Sequence, residues 1–284
     1  MRKEPVTPAE LRELQLAMLE FVDGVCRSEG IEYTLAGGSL LGAVRHGGYI
    51  PWDDDIDVEL TRPHYERLMA RLRTELPEHV ALLHYSERPT FLPWAKLYDT
   101  RTGYTSHIDT QHLGTGVYID IFPMDVVPDD DAELAEHRAG FYRRFSWLAA
   151  SATHGLAYAS ASRWRYFLGK LVLWLPRHLR YRGQGRELAA TLDTYLRRYE
   201  HSAHGQIGFF HRAFPDAIYP RAMWDSYEDV PFEHLTARKL VDHDGYLTRH
   251  YGDYMTPPPA REQQEAHGFY RWFWKPGMRP RVSD

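Results

Sequence analysis

The sequence predicts an α+β fold: a mixed β-sheet with flanking helices, followed by a largely helical middle and a C-terminal region. Three observations carry this. Over residues 1–128, short runs with strand-like alternation are interleaved with runs at the helical period. Between 132 and 199, three long segments hold the helical period. After residue 206 the pattern breaks into short pieces, ending in Pro257, Pro258, Pro259 and an aromatic tail over 269–274. The expected division is a catalytic core over 1–128, a helical basic region over 129–205, and a segment over 206–284 that completes the same catalytic unit.

Each element has a local cause. Thr7, Pro8 and Glu10 form a capping box with proline in the first turn, and Leu11, Leu14, Met18, Leu19, Val22, Val25 and Cys26 follow at helical spacing until Gly30. Strands are expected at 31–36 and 55–60, separated by a short helix over 39–46 and a loop over 47–52. A helix over 62–76 begins at Thr61 and Pro63, and further strands are expected at 80–85, 92–99 and 116–122. The helical middle comprises 132–151, 164–175 (stopped by Pro176) and 186–199. Strands near 207–211 and 230–240 and a helix over 242–251 complete the reading.

Composition excludes several classes. A chain of 284 residues with 43% hydrophobic and 26% charged residues is globular rather than disordered. Its net charge of −5 argues against a nucleic-acid binder. One cysteine, Cys26, excludes an internal disulfide framework and fits a small buried hydrophobe in a reducing compartment. The N-terminus lacks the apolar run of a secretory signal, and no stretch reaches the ~20 apolar residues of a transmembrane helix. A cytoplasmic location is expected, with possible peripheral contact at the inner membrane face.

The chemistry concentrates between residues 35 and 60. On a strand, alternate side chains share a face, so Asp55 and Asp57 project together, roughly 7 Å apart along the chain. Two carboxylates so placed suit a hard divalent cation, and like charges 4 Å apart repel by about 1–4 kcal/mol without one. Ile56 and Val58 alternate with them as strand residues do, whereas Asp53 and Asp54 are expected to shape the entry loop. Gly37, Gly38 and Ser39 supply the second half: a turn between strand and helix, with glycines that admit an anion close to the backbone at a helix N-terminus. Ser39 precedes Asp55 and Asp57 by 16 and 18 residues, which describes one site where a metal and a helix N-terminus grip the same phosphate. A P-loop, a complete dinucleotide fingerprint, a nucleophile elbow and a His-Glu-x-x-His motif are all absent.

This arrangement resembles the nucleotidyltransferase superfamily, and within it the LicD family of fukutin-related phosphotransferases. The run from Gly37 through Arg45 and His46, then Pro51, Trp52, Asp53, Asp54, Asp55, Ile56 and Asp57, carries the resemblance. A second match runs from Tyr118 through Asp120 to Asp125, and a third is Tyr251, Gly252, Asp253, Tyr254 and Met255 before the prolines. The resemblance implies a nucleotidyltransferase-like sheet and transfer of a phospho-alcohol group, phosphocholine or a polyol phosphate. The donor would be CDP-activated and the acceptor a hydroxyl of a cell-surface glycan such as lipopolysaccharide or teichoic acid, free or lipid-linked, with release of CMP. It implies Mg2+ or Mn2+ on Asp55, Asp57 and Asp120, with Asp120 as proton acceptor. Gly37, Gly38 and Ser39 would hold phosphate, helped by Arg45 and Lys96.

Charge is unevenly spread. From His137 to Arg186 there are ten Lys or Arg and no Asp or Glu, which leaves 24 basic against 39 acidic residues elsewhere. Residues 163–182 interleave aromatic, aliphatic and basic side chains, as a membrane-surface helix does and as a core-packing helix with a basic outer face also does. Three further readings stay open: transfer of NMP from NTP to a small molecule, a non-catalytic membrane- or glycan-binding relative, and a purely structural metal site.

Overall fold

The computed structural model describes residues 3–106, 114–151, 164–210, 217–259, 261, 263 and 270–280, with backbone alone for 164–171 and 173. Its elements are, in order, β1 (Glu4–Pro5), α1 (Pro8–Glu29), β2 (Thr34–Leu35), α2 (Gly37–His46), β3 (Asp57–Thr61), α3 (Arg62–Leu72), β4 (Val80–Leu83), β5 (Ala95–Asp99), β6 (Thr102–Thr105) and β7 (Tyr118–Val127). There follow α4 (Asp131–Ala150), α5 (Trp164–Tyr181), α6 (Gly185–Leu196), β8 (Gln206–Gly208), β9 (Ile218–Pro220), β10 (Tyr227–Phe232), β11 (Leu235–Leu240), α7 (His243–Tyr251) and β12 (Arg271–Trp274). The mixture of helix and mixed sheet agrees with the expected α+β class.

The central sheet runs β2-β3-β7-β5-β4. Only β3 and β7 are parallel; β2 with β3, β7 with β5, and β5 with β4 are antiparallel. β7 is the longest strand and changes partner along its length. It pairs with β5 over Tyr118–Ile121 and with β8 over Asp125–Val127. Pro123, which has no N–H to give, lies in the gap between those two pairings.

One face of the sheet is the core. Val58, Leu60, Ala95, Leu97, Ile119 and Ile121 are fully buried there, among helices α1 and α3. α1 forms because the capping box is made: the Glu10 N–H donates to Thr7 Oγ1 and the Thr7 N–H donates to Glu10 Oε2. It ends at Gly30, whose φ of +61° suits glycine. Its buried face includes Met18, Leu19, Val22 and Cys26, at about 1.5–3 kcal/mol for each large apolar side chain. Cys26 is buried and its thiol pushed far up by that burial, so it is a packing residue.

Several expectations need correction: Gly37 and Gly38, expected in a turn, open α2, the helix expected over 62–76 ends at Leu72, and the strand expected over 116–122 runs on to Val127. β3 begins at Asp57, so Asp55 stands in the approach to the strand rather than on it. α5 does not stop at Pro176 but continues to Tyr181. Pro176 faces solvent, where the carbonyl it leaves unbonded can turn to water. The single strand expected over 230–240 is a hairpin, β10 and β11, folded at Glu233 in a left-handed conformation (φ 55°). Phe269 lies outside the described residues. The rest of the aromatic tail is β12, which pairs with both β1 and β6.

Candidate active site

The opposite face of the sheet carries the polar residues. Asp57 on β3, Asp120 on β7 and Lys96 on β5 are direct register partners, so they form one transverse row across three adjacent strands. Lys96 Nζ donates to Asp120 Oδ2 at 2.7 Å and lies 3.4 Å from the centre of the Tyr118 ring. The Trp94 indole N–H donates to Asp120 Oδ1. Asp120, only 5% exposed, is thus held by a cation and a fixed donor, which is what a buried carboxylate requires.

The acidic loop folds onto this row. Asp53, Asp54 and Asp55 each place a carboxylate oxygen within 4.8 Å of the others. Asp57 lies beside them: burial first, then the charges of Asp55, Asp120 and Asp53, push its carboxyl well above the ordinary range, and Lys96 pulls it back. The sequence reading gave Asp53 and Asp54 only to the loop; the structure brings both into the cluster.

The glycine turn closes the other side. α2 begins at Gly37 (φ 49°), and its N-cap, Ala36, supplies no capping side chain. A Cβ on Gly37 would lie 3.7 Å from Asp57 Oδ2, and one on Gly38 would meet Asp53 Oδ2 at 2.3 Å. The glycines are therefore against the carboxylates, and a side chain at Gly38 would displace the Asp53 carboxylate. Ser39 has a second duty: its Oγ accepts the Asp57 N–H at 2.9 Å, stapling α2 to β3. A hydroxyl that accepts one bond keeps its own proton to donate.

Arg45 lies farther along α2, where its Nη1 donates to the Tyr254 carbonyl at 2.6 Å and desolvation lowers its pKa. No contact between Arg45 and the aspartates is seen among the described residues. Lys96 bonds Asp120 and acts on Asp57 by its charge.

Gln15, Glu59 and Tyr246 were not picked out from the sequence, whereas Tyr251 stood in the third family match. Gln15, inside α1, donates through Nε2 to the carbonyls of Asp54 (2.9 Å) and Tyr118 (3.2 Å), and accepts the Tyr49 hydroxyl at 2.9 Å. It ties the acidic loop to β7. On α7, the Tyr246 hydroxyl accepts the Gly37 N–H at 3.3 Å and donates to buried Glu59 at 3.1 Å. Desolvation raises the Glu59 carboxyl to about 8. The Tyr251 hydroxyl stands 3.7 Å from the position of a Gly37 Cβ; burial first, then the charges of Asp53, Asp57 and Asp55, raise its pKa. The only available signal was a polar residue at a core position of a helix, in the case of Gln15.

Among the described residues, the carboxylates that converge within reach of one cation are Asp53, Asp54 and Asp55, an oxygen donor set that fits a hard divalent ion; Asp57 and Asp120, expected to share it with Asp55, stand outside that group of three, and Asp120 is bonded by Lys96. Adjacent stands a helix N-terminus bordered by glycines, the ordinary cradle of a phosphate.

Residues 30–167 match the family model described as LicD/FKTN/FKRP, nucleotidyltransferase domain. The chain is also 28% identical over 281 aligned residues to the lipopolysaccharide cholinephosphotransferase LicD of Haemophilus influenzae, covering 90% of this chain and 96% of that protein. Over residues 30–167, just under half of its length, the chain resembles the LicD family. A shorter stretch of 51 residues is 51% identical to the ribitol 5-phosphate transferase FKRP of mouse and of human, covering 18% of this chain and 10% of theirs. The matched LicD-family domain contains the glycine turn, the acidic loop, Lys96 and Asp120.

Proposed function

We propose that this protein transfers a phospho-alcohol group from a CDP-activated donor to a glycan hydroxyl. The observation that carries the reading is the row of Asp57, Asp120 and Lys96 facing the Gly37–Gly38 turn. Asp55, Asp57 and Asp120 would hold Mg2+ or Mn2+, with Asp53 beside them. When bound, the ion would neutralise the donor diphosphate and stabilise charge on the transferring phosphoryl group. The chain supplies the rest. The first turn of α2 binds the phosphate oxygens through its N–H groups and the Ser39 hydroxyl. The acceptor oxygen attacks the distal phosphorus, the bond to the bridging oxygen breaks, and CMP leaves with that electron pair. Asp120 takes the acceptor's proton. Both of its oxygens already accept hydrogen bonds, so Lys96 shifts toward the phosphates as that proton arrives.

The names of the relatives support phosphocholine or ribitol phosphate as cargo, and a lipopolysaccharide-type glycan as acceptor. The test is metal-dependent CMP release from CDP-choline, CDP-ribitol and CDP-glycerol. Asp57→Asn should lower kcat at least about a hundredfold. Its metal-free Tm should hold or rise, because a repelled charge is removed. Full activity in that variant, or pyrophosphate release from a nucleoside triphosphate, would overturn the reading.

A further inference from the structure

The charge asymmetry of the chain has a structural address on α5. One side of its C-terminal half packs on α4: His178 Nδ1 lies 3.1 Å from the Ala150 carbonyl, and the Tyr181 ring stacks on Trp147 at 5.8 Å. Turned away from that contact, Val172 is 73% exposed, Leu179 67% and Leu175 37%. At about 100° per residue these three fall within about 60° of one another, a continuous apolar stripe. Arg180 and Arg177, both exposed, flank it on one side, and exposed Arg182 lies on the other, just beyond the helix end. The sequence contains no acidic residue from His137 to Arg186 to offset them. Among the described residues, no helix is long and apolar enough to cross a membrane.

We propose that α5 docks the protein on an anionic lipid surface, lying in the interface with Val172, Leu175 and Leu179 among the acyl chains. The flanking guanidinium groups would reach the lipid phosphates. An apolar stripe rimmed by arginines matches that environment in both of its chemistries. A second copy of the chain matches it poorly: a two-fold contact through this face would set arginines against arginines. The inference is independent of the transfer reaction, since its readout is lipid binding alone.

The full chain should co-sediment with equimolar phosphatidylcholine–phosphatidylglycerol vesicles and remain in solution with pure phosphatidylcholine. The double variants V172S/L179S and R177E/R180E should each lower the bound fraction about tenfold or more, and added salt should release the wild type. Their circular dichroism and Tm should match the wild type, because these side chains face solvent. Wild-type protein that fails to bind the anionic vesicles would overturn the proposal, as would folded variants that bind unchanged. So would a concentration-dependent dimer abolished by V172S/L179S in place of lipid binding, which would reassign the face to a copy interface. Lipid binding that is lost in both variants would sustain it.

Discussion

Gln15 is the one polar side chain among the buried residues of α1, and its three hydrogen bonds converge on the acidic loop and the strand bearing Asp120. Gln15→Leu keeps the helix and most of the volume but strands two carbonyls and a tyrosine hydroxyl. It should cost about 1–3 kcal/mol or more by chemical denaturation, and kcat should fall because the Asp54 backbone loses its tether. Glu59 makes a different prediction. Its folded carboxyl titrates near 8, raised by burial, whereas an unfolded glutamate titrates near ~4.3. Between those values the folded state binds the extra proton. Stability from this group is therefore complete below the lower value and is lost as pH rises toward 8, by at most about 1.4 kcal/mol per pH unit. Glu59→Gln accepts the same Tyr246 bond without titrating, so its Tm should fall less steeply than wild type between pH 6 and 8, about the window where the carboxyl ionises.

At the scale of elements, α2 is fixed to the sheet through its first turn, and Gly38 sets how closely. A methyl there would meet Asp53 Oδ2 at 2.3 Å, and the carboxylate would have to swing out of the cluster. Gly38→Ala should therefore lower kcat/KM about tenfold or more with little change in Tm. Gly24→Ala, whose added methyl meets nothing within 4 Å in α1, should be neutral or stabilising by up to about 1 kcal/mol. The elements also show what the sequence could reveal. α1 was legible from its capping box; α2 and β7 were legible in place but not in extent, since Gly37 and Gly38 read as a turn and β7 continues from Pro123 to Val127. The hairpin of β10 and β11 was not, because Glu233 turns the chain where a glycine or asparagine would have announced it. β12 reads as an aromatic tail because its partners, β1 and β6, lie far away in the chain. At the site, Asp57 and Asp120 were legible as carboxylates in apolar strands. The entry of Asp53 into the cluster depends on how a loop folds back on Gly38, which no periodicity encodes.

Across the whole molecule, the sheet and the helical region meet in an apolar cluster, Val127 of β7 with Phe141 of α4 and Leu192 of α6, and at a buried cation. Arg62, 2% exposed, grips Asp125 of β7 with two parallel bonds of 2.7 and 2.6 Å and reaches Asp193 of α6 at 2.8 Å. Tyr85 donates to the other Asp193 oxygen at 3.1 Å. The carboxylates hold the guanidinium pKa above its usual value despite burial. Arg62→Met leaves two enclosed carboxylates without their cation and should cost about 3–5 kcal/mol. Amide exchange in α6 should rise more than in α1, which lies outside the network. The parallel register of β3 and β7 has a consequence for how such a chain tolerates change. Asp57 meets Asp120 because two strands are in step, and within residues 62–117 it is β5 that adds to this, through Trp94 and Lys96 on Asp120. The connection between α3 and β4, over residues 73–78, can therefore gain or lose residues without moving the pair. One residue inserted within β7 just before Asp120 would turn its side chain to the core face, however conservative the inserted residue.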